Sequence, residues 1–155
     1  MSLILDGTNG LTFNNATTQA SAGVVLQVVQ FTTSSQATTT SASPVASGFG
    51  ASITPKFSTS KILVLMNFNA GISVSATNNN YFIYRGTTST GYRITAGYVQ
   101  ATAFLGTSCA MCYLDSPSTT SSTTYNLYLS TDGGTAYVRG DPNSTTSITL
   151  MEIAA

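Results

Sequence analysis

The chain contains no histidine. That removes the usual general base, the Ser-His-Asp arrangement and the commonest metal ligand together. Five carboxylates remain, Asp6, Asp115, Asp132, Asp141 and Glu152. A glycosidase needs two carboxyl groups facing one cleft. Asp115, Asp132 and Asp141 instead sit in Asp-Ser-Pro, Asp-Gly-Gly and Asp-Pro-Asn, where turn formation accounts for them. No catalytic residue is assigned, and the chain is expected not to be an enzyme. Cys109-Ala110-Met111-Cys112 is formally a C-x-x-C. A redox pair needs a helix N-terminus, and a structural zinc needs further ligands. In a strand, positions three apart point to opposite faces, so the two thiols read as small packing residues. The alternative is a metal shared about a three-fold axis, one thiolate from each copy. No metal or other cofactor is expected.

Glu152 is the one carboxylate inside an apolar strand, SITLMEI. Alternation places it on the face of Ile148 and Leu150. It is expected to pair with Lys61 or an arginine, with another subunit as a possible source, or to emerge at an edge. Recognition chemistry is confined to Tyr81, Tyr84, Arg85, Tyr92, Arg93 and Tyr98, grouped around the Gly86 to Gly91 turn. Tyr and Arg combine flat apolar area with hydrogen-bonding ends, so these six are the receptor-binding candidates. Packing of a sandwich and its subunit contacts is the other reading of the same residues, and the preferred one.

These residues lie on short strands. Val24 to Thr33 is apolar on both faces, and Ser34 to Ser43 is a hydroxyl-rich loop. In KILVLMNFNAGISV, Ile62, Val64, Met66, Phe68 and Ala70 share one face, while Leu63, Leu65, Asn67 and Asn69 turn polar along the other. β-branched residues and Gly71 favour one strand, or two with a bend, over a buried helix. Tyr81 to Arg85, Tyr92 to Ile94 and the stretch from Gly97 to Leu114 supply more, with a break expected near Gly106. Tyr125, Leu127 and Leu129 alternate with Asn126, Tyr128 and Ser130. Asp132-Gly133-Gly134 then predicts a tight hairpin into Ala136 to Arg139. The final strand carries Ile148 and Leu150 on one face, Met151 and Ile153 on the other. No helical period occurs, so the fold class is all-β, an antiparallel sandwich of jelly-roll type.

Charged residues make up only 6% of the 155, with five cations against five anions, whereas about 25% is typical. Five scattered cations cannot line a phosphate backbone or a membrane surface, so nucleic acid and membrane insertion are excluded as partners. No apolar run is long enough to span a bilayer as a helix, and MSLILDGTNG lacks the pattern of a signal peptide. A chain with so little charge repulsion is expected to meet copies of itself. Both faces of the closing strand then have a use. Ile148, Leu150, Met151 and Ile153 are the candidate oligomer interface. Residues 1–23 are too poor in apolar side chains to fold alone. Their Leu3, Leu5, Leu11 and Phe13 are the candidate docking contacts of an arm preceding the sandwich of residues 24–155.

Gly7, Gly10, Leu11, Phe13, Asn15, Thr17 and Gln19 follow the spacing G-x-x-G-[LV]-x-F-x-[DN]-x-T-x-Q. That stretch resembles short units of bacteriophage tail-fibre and virion-appendage proteins, although Asn15-Ala16 stands where those carry Asp-Gly. Ile53-Thr54-Pro55 with Ser60-Lys61-Ile62-Leu63-Val64, and Ser147, Thr149, Leu150, Glu152 and Ile153, extend the resemblance over most of the chain. They are similar to the terminal β-domains of phage fibres. The resemblance implies a homotrimer with a jelly-roll subunit like the C1q and tumour-necrosis-factor folds. It also implies a virion protein, assembled in the host cytoplasm and exposed on the particle. The expected role is a short fibre or fibre-tip subunit. Its arm would dock on a tail or baseplate protein, and its β-domain would contact a host-surface glycan or protein. The alternative is a capsid decoration or head-fibre protein with a stabilising role.

Overall fold

The computed structural model describes residues 4–6, 10–12, 18–19, 24–72, 78–96, 105–138, 140 and 144–155. Three short strands, β1 (Ile4–Asp6), β2 (Gly10–Thr12) and β3 (Thr18–Gln19), pair with one another in a small antiparallel sheet. The remaining strands are β4 (Val25–Thr33), β5 (Ala37–Thr39), β6 (Val45–Ile53), β7 (Lys61–Ile72), β8 (Asn79–Arg85), β9 (Thr88–Ala96), β10 (Leu105–Asp115), β11 (Thr123–Thr131), β12 (Ala136–Val138) and β13 (Thr146–Ile153). No helix occurs among the described residues.

Eight longer strands form two antiparallel sheets. One runs β4-β13-β7-β10, and β7 also carries β12, which in turn pairs β5; the other runs β6-β11-β8-β9. Numbered by position in the chain, the orders are 1-8-3-6 and 2-7-4-5. That is the jelly-roll arrangement, in which paired Greek keys cover each other's apolar faces. The all-β sandwich expected from the alternation is therefore present.

β7 is a single strand of twelve residues, without helix or bend. β10 pairs along one edge, and β13 followed by β12 pair along the other. Its backbone donors and acceptors thus find ladder partners along most of its length. β10 runs through Gly106, which pairs with Gly71, so the expected break is absent. Asp132-Gly133-Gly134 does not close a hairpin either. β11 and β12 belong to opposite sheets, and the turn carries the chain across the sandwich, with Gly134 at φ 67°. A short apolar run such as Ala136 to Val138 can sit in either sheet, because alternation sets its faces and not its partner.

The core fills the space between the sheets. Ile62, Val64, Met66 and Phe68 of β7 meet Tyr81, Ile83, Tyr125, Leu127 and Leu129 of the facing sheet, all buried. The Phe68 and Tyr81 rings lie 4.8 Å apart. Two polar groups inside are tied to backbone carbonyls: the Tyr81 hydroxyl donates to Tyr137 O at 2.7 Å, and Asn79 Nδ2 donates to Gly71 O at 2.8 Å.

Candidate functional site

The six recognition candidates do not form one surface. Tyr81 is fully buried, and burial pushes its phenol well above the ordinary range; it is a core residue and cannot touch a receptor. Alternation along β8 explains this, since Tyr81, Ile83 and Arg85 share the inward side. Arg85 Nη1 pairs with the buried Asp115 at 3.1 Å, which also accepts the Tyr125 hydroxyl at 2.6 Å. Tyr92 faces Tyr113 between the sheets, ring centroids 5.7 Å apart, and packs against the core. Tyr98 lies outside the described residues. Tyr84 and Arg93 face outward.

Around those two the structure assembles a different group. Tyr84 stacks on Tyr128 with ring centroids 3.9 Å apart and 12° between planes, and the Phe82 edge meets Tyr84 at 6.4 Å and 87°. Across the sheet, Ala46, Tyr128, Phe82 and Arg93 stand opposite one another in register. Phe82 and Tyr128 were absent from the sequence candidates. Their signal was the alternation itself: buried Leu127 and Leu129 oblige Tyr128 to face out.

The outer face of the opposite sheet is apolar at one end. Val28, Met151, Leu63 and Leu114 form one cross-strand row, with Val28 53% and Leu114 49% exposed. The next row, Gln30, Thr149, Leu65 and Cys112, is mixed, and the third, Thr32, Ser147, Asn67 and Ala110, is polar. Beyond the apolar row, Phe57 is exposed beside a notch of about 350 Å³ lined by Leu26, Thr59, Ala154 and Ala155.

The candidate interface residues divide accordingly. Met151 and Ile153 lie on this outer face, half-buried, whereas Ile148 and Leu150 are sealed in the core. The latter two are unavailable to a partner, and their assignment to the interface is corrected. Of the docking candidates, Leu5 and Leu11 are directly opposed between β1 and β2, while Leu3 and Phe13 lie outside the described residues.

Glu152 shares the core side with Ile148 and Leu150, as alternation requires, but among the described residues no cation is its partner. Gln27 Nε2 donates to it at 2.5 Å and the Lys56 backbone N–H at 2.7 Å. Burial alone would push this carboxyl up. Hydrogen bonds from Gln27 and the backbone N–H groups of Lys56 and Phe57 outweigh it, holding the carboxyl below the usual range. A fixed cluster of donors thus holds the carboxylate, tying the loop before β7 to β13. Cys109 faces inward, half-buried, with its thiol pushed up by burial, and Cys112 is exposed on the outer face. The two point apart, as their spacing predicts. Among the described residues no three potential ligands gather as a metal site.

The sequence matches no known protein-family profile and no curated protein. Among solved structures, infectious bursal disease virus of the Gx strain overlaps with a TM-score of 0.47 at 16% identity, covering 100% of this chain and 43% of that one. The VP2 subviral particle of the same virus gives 0.46 at 14% identity, with 83% and 38% covered. A VP2 mutant forming T=1 particles gives 0.46 at 13% identity, with 84% and 37% covered. The chain spans about two fifths of the length of these proteins. Overlap at this level carries nothing about function.

Proposed function

We propose that the chain is a bacteriophage virion structural protein that self-assembles as a homotrimer. In this reading it is a short fibre or fibre-tip subunit with no enzymatic activity. Residues 1–23 dock on another virion protein of the tail or baseplate, and the jelly roll meets the host surface. The observation that carries the reading is the uncovered apolar row Val28, Met151, Leu63 and Leu114. A chain with 6% charged residues places four large apolar side chains side by side on an outer sheet face. Continuous apolar surface of this kind marks an association site. The row lies at the end of the sandwich where β4 begins, so copies meeting there would leave the polar half of the face in solvent. The motif spacing shared with phage fibres supports the same reading.

The test is labelling of the chain on intact particles by electron microscopy, combined with adsorption assays. Label at the tail, with adsorption blocked by the purified protein, is the expected result. Label on the capsid, with normal adsorption in its absence, refutes the fibre role in favour of a decoration or head-fibre protein.

A further inference from the structure

The outer face of the β6-β11-β8-β9 sheet has no part in the core or in the apolar row opposite. Among the described residues its large apolar side chains are three rings in contact, Phe82, Tyr84 and Tyr128. The inward side of the same strands is already filled by Tyr81, Ile83, Tyr125, Leu127 and Leu129, so the fold does not need these rings for its interior. Their partners in register outside the group are small or hydrogen-bonding: Ala46, Asn126, Ser89 and Arg93. Beside Tyr128, β6 runs low. Ala46 stands opposite the ring, and the space above Gly48 is open to at least 4 Å where a side chain would begin. At the far side of the row the Arg93 side chain is exposed, and no described residue hydrogen-bonds it.

We propose that this face binds a saccharide, the chain of sugar rings lying along the row Ala46, Tyr128, Phe82, Arg93. The inference rests on the reading of the sandwich as the part that meets the host surface, and it names the ligand class. The C–H faces of a pyranose ring are apolar while its rim is hydroxyl, so it matches an aromatic face bordered by amides, hydroxyls and a guanidinium. The open lane over Ala46 and Gly48 leaves one side of Tyr128 clear for such a ring. Four strands span about 14 Å, enough for an oligosaccharide rather than a single ring. A protein partner fits less well. It needs roughly 800 Å² per side with well-packed anchors at its centre, and among the described residues this face offers no aliphatic side chain larger than alanine in register with the rings. Arg93 supplies a cation at one end, favouring a sugar that carries a carboxylate there.

Saturation-transfer NMR on the full chain tests this with maltohexaose, chitotetraose and tri-galacturonic acid at millimolar concentration. At least one probe is expected to receive saturation. Its affinity should fall roughly tenfold in Tyr128→Ala and in Tyr84→Ala, and be retained in Tyr128→Phe. Arg93→Gln should weaken the acidic probe alone, and Ser147→Ala, in the polar row of the other sheet, should change nothing. The proposal is overturned if no probe receives saturation, or if transfer survives in the folded Tyr84→Ala/Tyr128→Ala double variant. Protection of the Tyr128 face by a host protein, with no saccharide effect, also overturns it. Capsid localisation on the particle would refute the fibre role while leaving saccharide transfer in solution intact, so the two failures are distinguishable.

Discussion

Leu150 and Met151 are adjacent in the chain, yet aspartate at each should fail in a different way. Leu150 is fully buried between the sheets, while Met151 is half-buried on the outer face between Val28 and Leu63. Removing a buried leucine side chain costs about 2–5 kcal/mol through lost burial and the residual cavity. In a chain of this size each 1 kcal/mol shifts Tm by roughly 2–4 °C, so Leu150→Ala should melt roughly 4–20 °C lower. Leu150→Asp adds an unpaired buried charge and should not fold. Met151→Asp leaves the core untouched and should alter the stability of the separated chain by about 1 kcal/mol or less. In an assembly that covers the row, every copy would bury an unpartnered carboxylate at several kcal/mol each. A loss of about 3 kcal/mol is already over a hundredfold in association. Circular dichroism melts and light scattering at micromolar concentration separate the two effects. Met151→Asp is expected to be a folded monomer from a trimeric parent. A parental molar mass in Met151→Asp would refute the interface, and a native melt in Leu150→Asp would refute the placement of β13.

Three further outcomes follow from the same contacts. The Glu152 carboxyl is held low in the folded state, so its contribution is complete above the unfolded value near 4.5 and is lost as pH falls through the folded value. Tm should therefore drop on acidification below about pH 4.5, and Glu152→Gln should flatten that part of the profile; an unchanged slope in Glu152→Gln would remove Glu152 as its source. Tyr125→Phe takes a buried hydroxyl from Asp115, a 2.6 Å hydrogen bond to a charged acceptor. It should cost about 1.5–3 kcal/mol in urea unfolding, and a loss below about 0.5 kcal/mol would mean that Arg85 and solvent satisfy Asp115 unaided. Cys112, exposed beside Leu65 on the outer face, should react with iodoacetamide faster than Cys109. It should react faster in Met151→Asp than in the assembled parent, and equal rates in the two proteins would argue that the face is open in both.

Much of the fold was legible because alternation is a local property. The faces of β7, β11 and β13 follow from period-2 patterning, including the burial of Glu152 with Ile148 and Leu150. The same rule, applied to β8, separates Tyr81 from Tyr84. The recognition candidates were grouped instead by nearness in sequence, and nearness along a strand puts half of any group on the wrong side. Asp132-Gly133-Gly134 shows a second limit, because turn residues permit a reversal without naming the strand that follows as a partner.

The sequence by itself determined the class of the molecule: an all-β chain with almost no charge, no histidine, and a last strand apolar on both sides. Composition and periodicity reach that far because each side chain's preference for water or interior is its own. Only the tertiary structure decided which strands became neighbours in the order 1-8-3-6 and 2-7-4-5. That pairing aligned Val28, Met151, Leu63 and Leu114 from four distant segments, and set Tyr128 beside Tyr84 and Phe82. It also gave Glu152 a cluster of hydrogen-bond donors. Such groupings depend on cross-strand register, which is set by the packing of the whole sandwich and leaves no trace in the spacing of any one segment.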